Sequence, residues 1–131
     1  NITVICVDNG IYGMTGGQLA PTTEKGMATA TSPYGSPYEP INLQGIITSN
    51  KKHFYARTTV FHIPHLVKCI KEASQWEGFS FVHVYSNCIT QAGKYKGIKS
   101  AYEMLIKLRK DFRIKEDGLL KDNELGIVKN G

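Results

Sequence analysis

The run Ile2–Val7, ITVICV, restricts the fold more than any other stretch of this chain of 131 residues. Apolar and β-branched residues without polar alternation fit a strand buried on both faces, as in a parallel sheet, rather than a half-solvated hairpin strand. The same argument makes Phe79–Ser86, FSFVHVYS, the clearest strand in the chain and His53–Arg57, HFYAR, another. Elsewhere the apolar residues recur at helical spacing. Leu66, Val67, Ile70 and Ala73 follow Pro64, which suits a first helical turn, and Gly78 ends that pattern. Ile98, Ala101, Tyr102, Leu105 and Leu108 form a stripe on a helix that turns Glu103, Lys107 and Arg109 outward, and Ile41–Ser49 reads as a short helix. Strands alternating with helices of this size predict an α/β fold, a mostly parallel sheet with flanking helices.

Ligands of such sheets bind outside the carboxyl ends of the strands, and two unusual loops lie there. The first is DNGIYGMTGGQLAPTT, Asp8–Thr23, with four glycines and no lysine before Lys25. Asp8 and Asn9 have short, oxygen-bearing side chains suited to a hard cation that bridges phosphates. Gly10, Gly13, Gly16 and Gly17 would let backbone N–H groups approach an anion closely. A glycine-rich loop with Asx turns at a strand end is the alternative. The spacing matches neither the G-x-G-x-x-G nor the GKS/T phosphate loop, so it does not decide between them. From Pro21 to Pro40 neither hydrophobic period is present, and Pro33, Pro37 and Pro40 bias their predecessors away from helix.

The second loop, VYSNCITQAG, places Cys88 just past the strand Phe79–Ser86. On the residues alone, a single cysteine there reads as structural. Cys6, inside VICV, and Cys69, on a helix, read as core residues, because free cysteine packs as a small hydrophobe. Three cysteines without a CxxC pair argue against a disulfide framework. A hydrophobic share of 41% with five prolines fits one globular domain or part of one. The net charge of +5 is concentrated between Lys94 and Lys121, where acidic residues are interleaved, as on a solvated face. No apolar run is long enough to span a bilayer and no secretory n-region is present, so the expectation is a soluble, cytoplasmic protein with no membrane and no nucleic-acid partner. His53, His62, His65 and His83 read as packing or capping residues rather than acid–base groups.

DNGIYGMTGGQLAPTT resembles the cofactor loop of the beta subunits of 2-oxoacid:ferredoxin oxidoreductases, which are thiamine diphosphate enzymes. Those subunits follow a strand with Asn-Asn or a near variant, then Gly-Ile-Tyr-Gly-Met-Thr-Gly-Gly-Gln and a Thr-Pro-rich segment. The resemblance implies that Asn9 gives a side-chain oxygen to Mg²⁺ and Ile11 its backbone carbonyl, with Asp8 in place of the first Asn. It also implies that Tyr12, Met14 and Thr15 lie against the thiamine diphosphate and that Gly16 and Gly17 let the chain pass close to it. GFSFVHVYSNCITQAG, Gly78–Gly93, is similar to the family's strand before a Ser-Pro-Cys turn, although Asn87 stands where Pro is frequent. That likeness implies that Cys88 is the fourth thiolate of a [4Fe-4S] cluster. The resemblance covers roughly residues 1–95.

The activity implied is oxidative decarboxylation of a 2-oxoacid to acyl-CoA and CO₂. The favoured substrate is 2-oxoglutarate, with pyruvate and branched-chain 2-oxoacids as alternatives. The implied partners are an alpha subunit and other subunits of the complex, ferredoxin or flavodoxin, coenzyme A and the 2-oxoacid. The family's Gly-Asp-Gly motif and three further cluster cysteines precede the strand that matches Ile2–Val7, and its activating Glu comes from another subunit. The expectation is therefore the C-terminal half of a thiamine diphosphate-binding domain over residues 1–112 and a C-terminal tail over 113–131. Such a chain in isolation is expected to hold no cofactor, to be inactive, to have apolar surface at Ile2–Val7 exposed, covered by another copy or hidden by rearrangement, and to self-associate or keep the loop from Tyr12 to Pro40 mobile. The competing expectation is a non-catalytic α/β domain whose basic C-terminal region binds a protein partner or nucleic acid.

Overall fold

The computed structural model describes residues 1–116 and 118–129. The chain forms two compact units. One unit comprises Asn1–Val7, Asn42–Tyr85 and the described residues from Leu108 onward; the other comprises Asp8–Ile41 and Ser86–Lys107.

In chain order the elements are β1 Ile2–Asp8, β2 Ile11–Tyr12, β3 Gln18–Leu19, α1 Leu43–Thr48, β4 Phe54–Thr59, α2 Ile63–Ser74 and β5 Phe79–Tyr85. A π-helical turn Ile89–Gly93 then runs into α3 Lys94–Lys96, followed by α4 Ala101–Asp111, β6 Arg113–Ile114 and β7 Glu124–Lys129. The first unit is built on a five-stranded sheet of order β1-β5-β4-β7-β6. β4 and β5 are parallel, as are β6 and β7, and β4 and β7 are antiparallel. The Ile2 N–H donates to the Gly78 carbonyl and the Ser86 N–H to the Asp8 carbonyl, so β1 and β5 run in the same direction. The mostly parallel α/β sheet expected from the sequence is the fold observed.

Every residue of the central strand β4 is buried, including Arg57, Thr58 and Thr59. A buried guanidinium needs partners. Arg57 donates to the Lys121 carbonyl at 2.8 Å and, through Nε, to the Tyr55 hydroxyl at 3.3 Å, and that hydroxyl in turn meets His83 Nδ1 at 3.1 Å. Helix α2 packs on β4 and β5 through His65, Cys69 and Ala73, spaced four apart, and joins a core of Phe54, Ala56, Val82 and Val84. A second core on the opposite face gathers Tyr55, Leu120 and Val128 with Leu43 and Ile47 of α1.

Three local expectations differ from the structure. β1 is an edge strand, and Ile2 and Val7 are 63% and 65% exposed rather than buried on both faces, which gives the exposed apolar surface that is the other expectation for Ile2–Val7. Cys6 is only partly buried, whereas Cys69 is fully buried as expected. Helical residues Val67 and Tyr102 point outward, and α4 buries Met104 instead of the predicted stripe. The reason is the same in each case: an apolar residue is buried only where a neighbouring element covers it, and periodicity does not report the neighbour. Residues 113–129, polar in composition, supply β6 and β7, and three of their cations are committed to ion pairs. Arg113 and Lys115 pair with Glu124, and Lys129 with Glu72.

Candidate functional site

The second unit contains all the loop residues that the sequence singles out. Asp8 Oδ1 accepts from the Gly10 N–H at 2.9 Å and from the Thr22 hydroxyl at 2.6 Å. Asp8 is buried, and its Oδ1 fastens the two ends of the loop as an internal anchor. Asn9, by contrast, is exposed, and its Oδ1 is held at 3.2 Å from the Ile11 N–H in an Asx turn. Thr23, only 2% exposed, completes the frame: its hydroxyl donates to the Gly10 carbonyl at 2.6 Å and accepts from the Ala20 N–H at 2.8 Å.

Beyond Asn9 the chain makes a small antiparallel hairpin, with Ile11 opposite Leu19 and Tyr12 opposite Gln18. Gly16 and Gly17 have φ of 122° and 86°, which L side chains rarely adopt, and the Gly17 N–H donates back to the Tyr12 carbonyl at 2.8 Å. The Thr15 hydroxyl donates to Gln18 Oε1 at 2.7 Å. Tyr12 and Met14 project outward, Met14 fully exposed. Ile11 faces the other way, buried with Ala92 and Met104, and Met27, Cys88, Tyr95 and Ile98 pack on that cluster. Ile11 can therefore serve a ligand only through its backbone.

The π-helical turn after Cys88 is closed by the Gly93 N–H donating to the Cys88 carbonyl at 2.8 Å. Gly93 has no room for a side chain, because a Cβ would lie 2.8 Å from the Ile98 carbonyl oxygen. Burial pushes the Cys88 thiol pKa up, but backbone N–H groups of Ala92, Gln91 and Thr90, with the Thr90 hydroxyl, outweigh it and hold the thiol below its ordinary value. Cys69 is the opposite case: burial, with Glu72 nearby, pushes its pKa up to about 12, so it stays an inert thiol. Among the described residues no three His, Cys, Asp or Glu side chains gather as a metal-binding group.

The histidines pack as expected. His83 is buried against Tyr55 and Tyr85, and His65 is buried with its Nδ1 3.0 Å from the Thr58 hydroxyl. The Asx turns that the sequence allows are present at Asp8 and Asn9, whereas the longer-range bonds of Thr22 to Asp8 and of Thr23 to the Gly10 carbonyl leave no local sequence signal.

The donor chemistry matches a divalent cation beside a diphosphate. The Asn9 amide oxygen, held in an Asx turn two residues before the Ile11 carbonyl, would offer hard oxygens to such a cation, and the exposed, side-chain-free backbone at Gly16 leaves room for an anion. The fold and this loop define a thiamine diphosphate-binding domain, and the chain belongs to that family: the model described as "Thiamine pyrophosphate enzyme, C-terminal TPP binding domain" matches residues 1–84. Its relatives narrow the class. The chain is 39% identical over 105 residues to 2-oxoglutarate synthase subunit KorB of Methanothermobacter thermautotrophicus, covering 80% of this chain and 37% of that protein. It is 36% identical over 132 residues to the KorB subunit of Archaeoglobus fulgidus, covering 98% of this chain and 48% of that protein. A solved 2-oxoglutarate:ferredoxin oxidoreductase from Magnetococcus marinus, with 2-oxoglutarate, coenzyme A and succinyl-CoA bound, superposes with a TM-score of 0.77 at 27% identity. That likeness covers 98% of this chain and 47% of the solved chain. The likeness to beta subunits of 2-oxoacid:ferredoxin oxidoreductases, read from the loop, is thus found again in sequence and fold. The chain spans less than half the length of these relatives, and Cys88 lies beyond the residues that the family model matches. Among the described residues no helix is long and apolar enough to cross a membrane.

Proposed function

We propose that this chain is the part of a 2-oxoacid:ferredoxin oxidoreductase beta subunit that holds Mg²⁺–thiamine diphosphate and one thiolate of a [4Fe-4S] cluster. The complete enzyme oxidatively decarboxylates a 2-oxoacid, with 2-oxoglutarate as the favoured substrate, to acyl-CoA and CO₂ and passes the electrons to ferredoxin or flavodoxin. When bound, thiamine diphosphate supplies the carbanion chemistry of decarboxylation. The residues of this chain bind and orient. Asn9 Oδ1 and the Ile11 carbonyl hold Mg²⁺; Tyr12, Met14 and Thr15 lie along the cofactor; Gly16 and Gly17 admit it; Cys88 holds iron.

The observation that carries the reading is the Asx turn at the exposed Asn9, next to Asp8, which Thr22 fastens by a hydrogen bond. It holds the Asn9 side chain at the surface a few residues before the exposed Gly16. The relatives named for 2-oxoglutarate support the substrate, and the N–H groups around the Cys88 sulfur support a thiolate ligand. The test is an assay of the complete enzyme for coenzyme A-dependent ferredoxin reduction, with 2-oxoglutarate, pyruvate and branched-chain 2-oxoacids compared. Preference for 2-oxoglutarate is the expected result. Failure with every 2-oxoacid in a thiamine diphosphate-loaded enzyme would overturn the reading.

A further inference from the structure

Gly13 is the glycine of the loop that backbone conformation does not require. Its φ is not positive, in contrast with Gly10, Gly16 and Gly17. An alanine there would be conformationally acceptable and would also reduce the freedom of the unfolded chain, which ordinarily stabilises a protein. What an added methyl meets is sulfur: a Cβ on Gly13 would stand 3.0 Å from Cys88 Sγ. Carbon and sulfur at that separation overlap, so either the loop or the Cys88 side chain must shift. Cys88 has little freedom to do so, because it packs on the cluster of Ile11, Ala92 and Met104 and its sulfur lies 3.9 Å from the Thr90 hydroxyl.

Gly13 stands two residues beyond Ile11, and Tyr12 and Met14 on either side of it project outward. A second contact couples the same two segments. A Cβ on Gly17 would lie 2.7 Å from Gln91 Oε1, in the turn that follows Cys88. The hairpin and the Cys88 turn therefore touch at two glycines, one of them directly against the sulfur. Where two segments pack this closely, a displacement of one is transmitted to the other.

We propose that Gly13 is a positioning residue for Cys88: its missing side chain seats the thiolate against the hairpin, so that the placement of the loop sets the geometry of the sulfur. The inference rests on the reading of this loop as the thiamine diphosphate site and of Cys88 as a cluster ligand. It adds that the two sites communicate through van der Waals contact at Gly13, and that occupancy of one is felt by the other.

The complete enzyme tests this with Gly13→Ala, Gly16→Ala and Cys88→Ala. In Gly13→Ala the iron content stays full, while the cluster's electron paramagnetic resonance signal and midpoint potential shift. Reduction of the cluster in a single turnover should slow about three- to tenfold, below the ~10²-fold that a full 1 Å misplacement can cost. Gly16→Ala strains the backbone without reaching Cys88, so it should weaken thiamine diphosphate binding and, compared in the cofactor-free state, leave the cluster signal as in the parent. A second measurement needs no substitution: adding Mg²⁺ and thiamine diphosphate to cofactor-depleted parent enzyme should shift the cluster signal. That arm decides the matter if Gly13→Ala does not fold. An unchanged signal in Gly13→Ala, or in the loading experiment, would overturn the inference while Cys88→Ala still loses iron. Full iron in Cys88→Ala would instead overturn the underlying reading of Cys88, and the inference with it.

Discussion

The hydroxyl of Thr22 donates to Asp8 Oδ1 across 2.6 Å, joining residues 14 positions apart in the chain. The same oxygen accepts the Gly10 N–H, so one buried carboxylate oxygen fixes both the first turn and the return of the loop. The presentation of Asn9 depends on that anchor. Asp8→Ala removes an acceptor from two donors, and hydrogen bonds to a charged group contribute about 1.5–3 kcal/mol. We expect thermal unfolding of the complete subunit at lower temperature and weaker binding of thiamine diphosphate. Asp8→Asn keeps an acceptor oxygen and should lose much less on both measurements.

Thr23→Val conserves shape and removes the hydroxyl, leaving the Ala20 N–H and the Gly10 carbonyl without their partner. Unsatisfied buried groups cost about 1–3 kcal/mol each, so chemical denaturation should register a loss in that range or above. Thr23→Ser should retain most of the stability.

Cys88→Ala and Cys69→Ala should separate function from packing. The first should lower the iron content of the complete enzyme or alter the cluster's spectrum, and the second should keep a full cluster. Cys69 is fully buried against α2 and the sheet, so its truncation should cost about 1 kcal/mol or more of stability as a small cavity. A full, unaltered cluster in both variants would return Cys88 to a structural role.

Stability should fall with acid in two windows. The backbone N–H of Lys121 is the strongest influence on Glu124; with Arg113 and Lys115 it outweighs the opposing effect of burial and holds the carboxyl down at about 2. A depressed carboxyl contributes stability that is present above its ordinary value of 4.5 and is lost as pH falls from there towards 2. Burial, aided by His62 and Lys68, lowers the pKa of His65, so the unfolded chain takes up its proton first, and stability declines as pH drops below 6.5. Burial lowers the His62 pKa in the same direction, so denaturation midpoints measured from pH 8 to 2.5 should lose the lower window in Glu124→Gln and keep only a shallower upper one in His65→Gln.

Much of the sheet and part of the loop's local geometry can be read directly from the residues. FSFVHVYS forms β5 because its neighbours on both sides are strands, and the helix after His62 holds because Pro64 occupies its first turn and His65, Cys69 and Ala73 face β4 and β5. β7 escaped because ELGIVK interrupts its apolar run with Gly126 and begins on a charge. The structure explains both: Gly126 lies so close to the Lys115 carbonyl that a Cβ would stand 2.7 Å away, and Glu124 is neutralised by Arg113 and Lys115. Pairings across the chain of this kind leave no local pattern. In the loop, the positive φ of Gly16 and Gly17 follows from residue type. Which of Asp8 and Asn9 turns inward is settled by Thr22, fourteen residues beyond Asp8, and residue type alone could not decide it.

The central claim is that the Asn9 oxygen is a Mg²⁺ ligand beside a diphosphate. It is tested most directly by titrating thiamine diphosphate into cofactor-depleted complete enzyme at a series of Mg²⁺ concentrations, with Asn9→Ala compared with the parent. Loss of an oriented ligand should raise the Mg²⁺ needed for half-saturation at least about tenfold, since even outer-shell partners of metal ligands are worth 10–100-fold in affinity. The fold and the iron content should be retained. Equal thiamine diphosphate affinity and equal Mg²⁺ dependence in the two proteins would contradict the assignment.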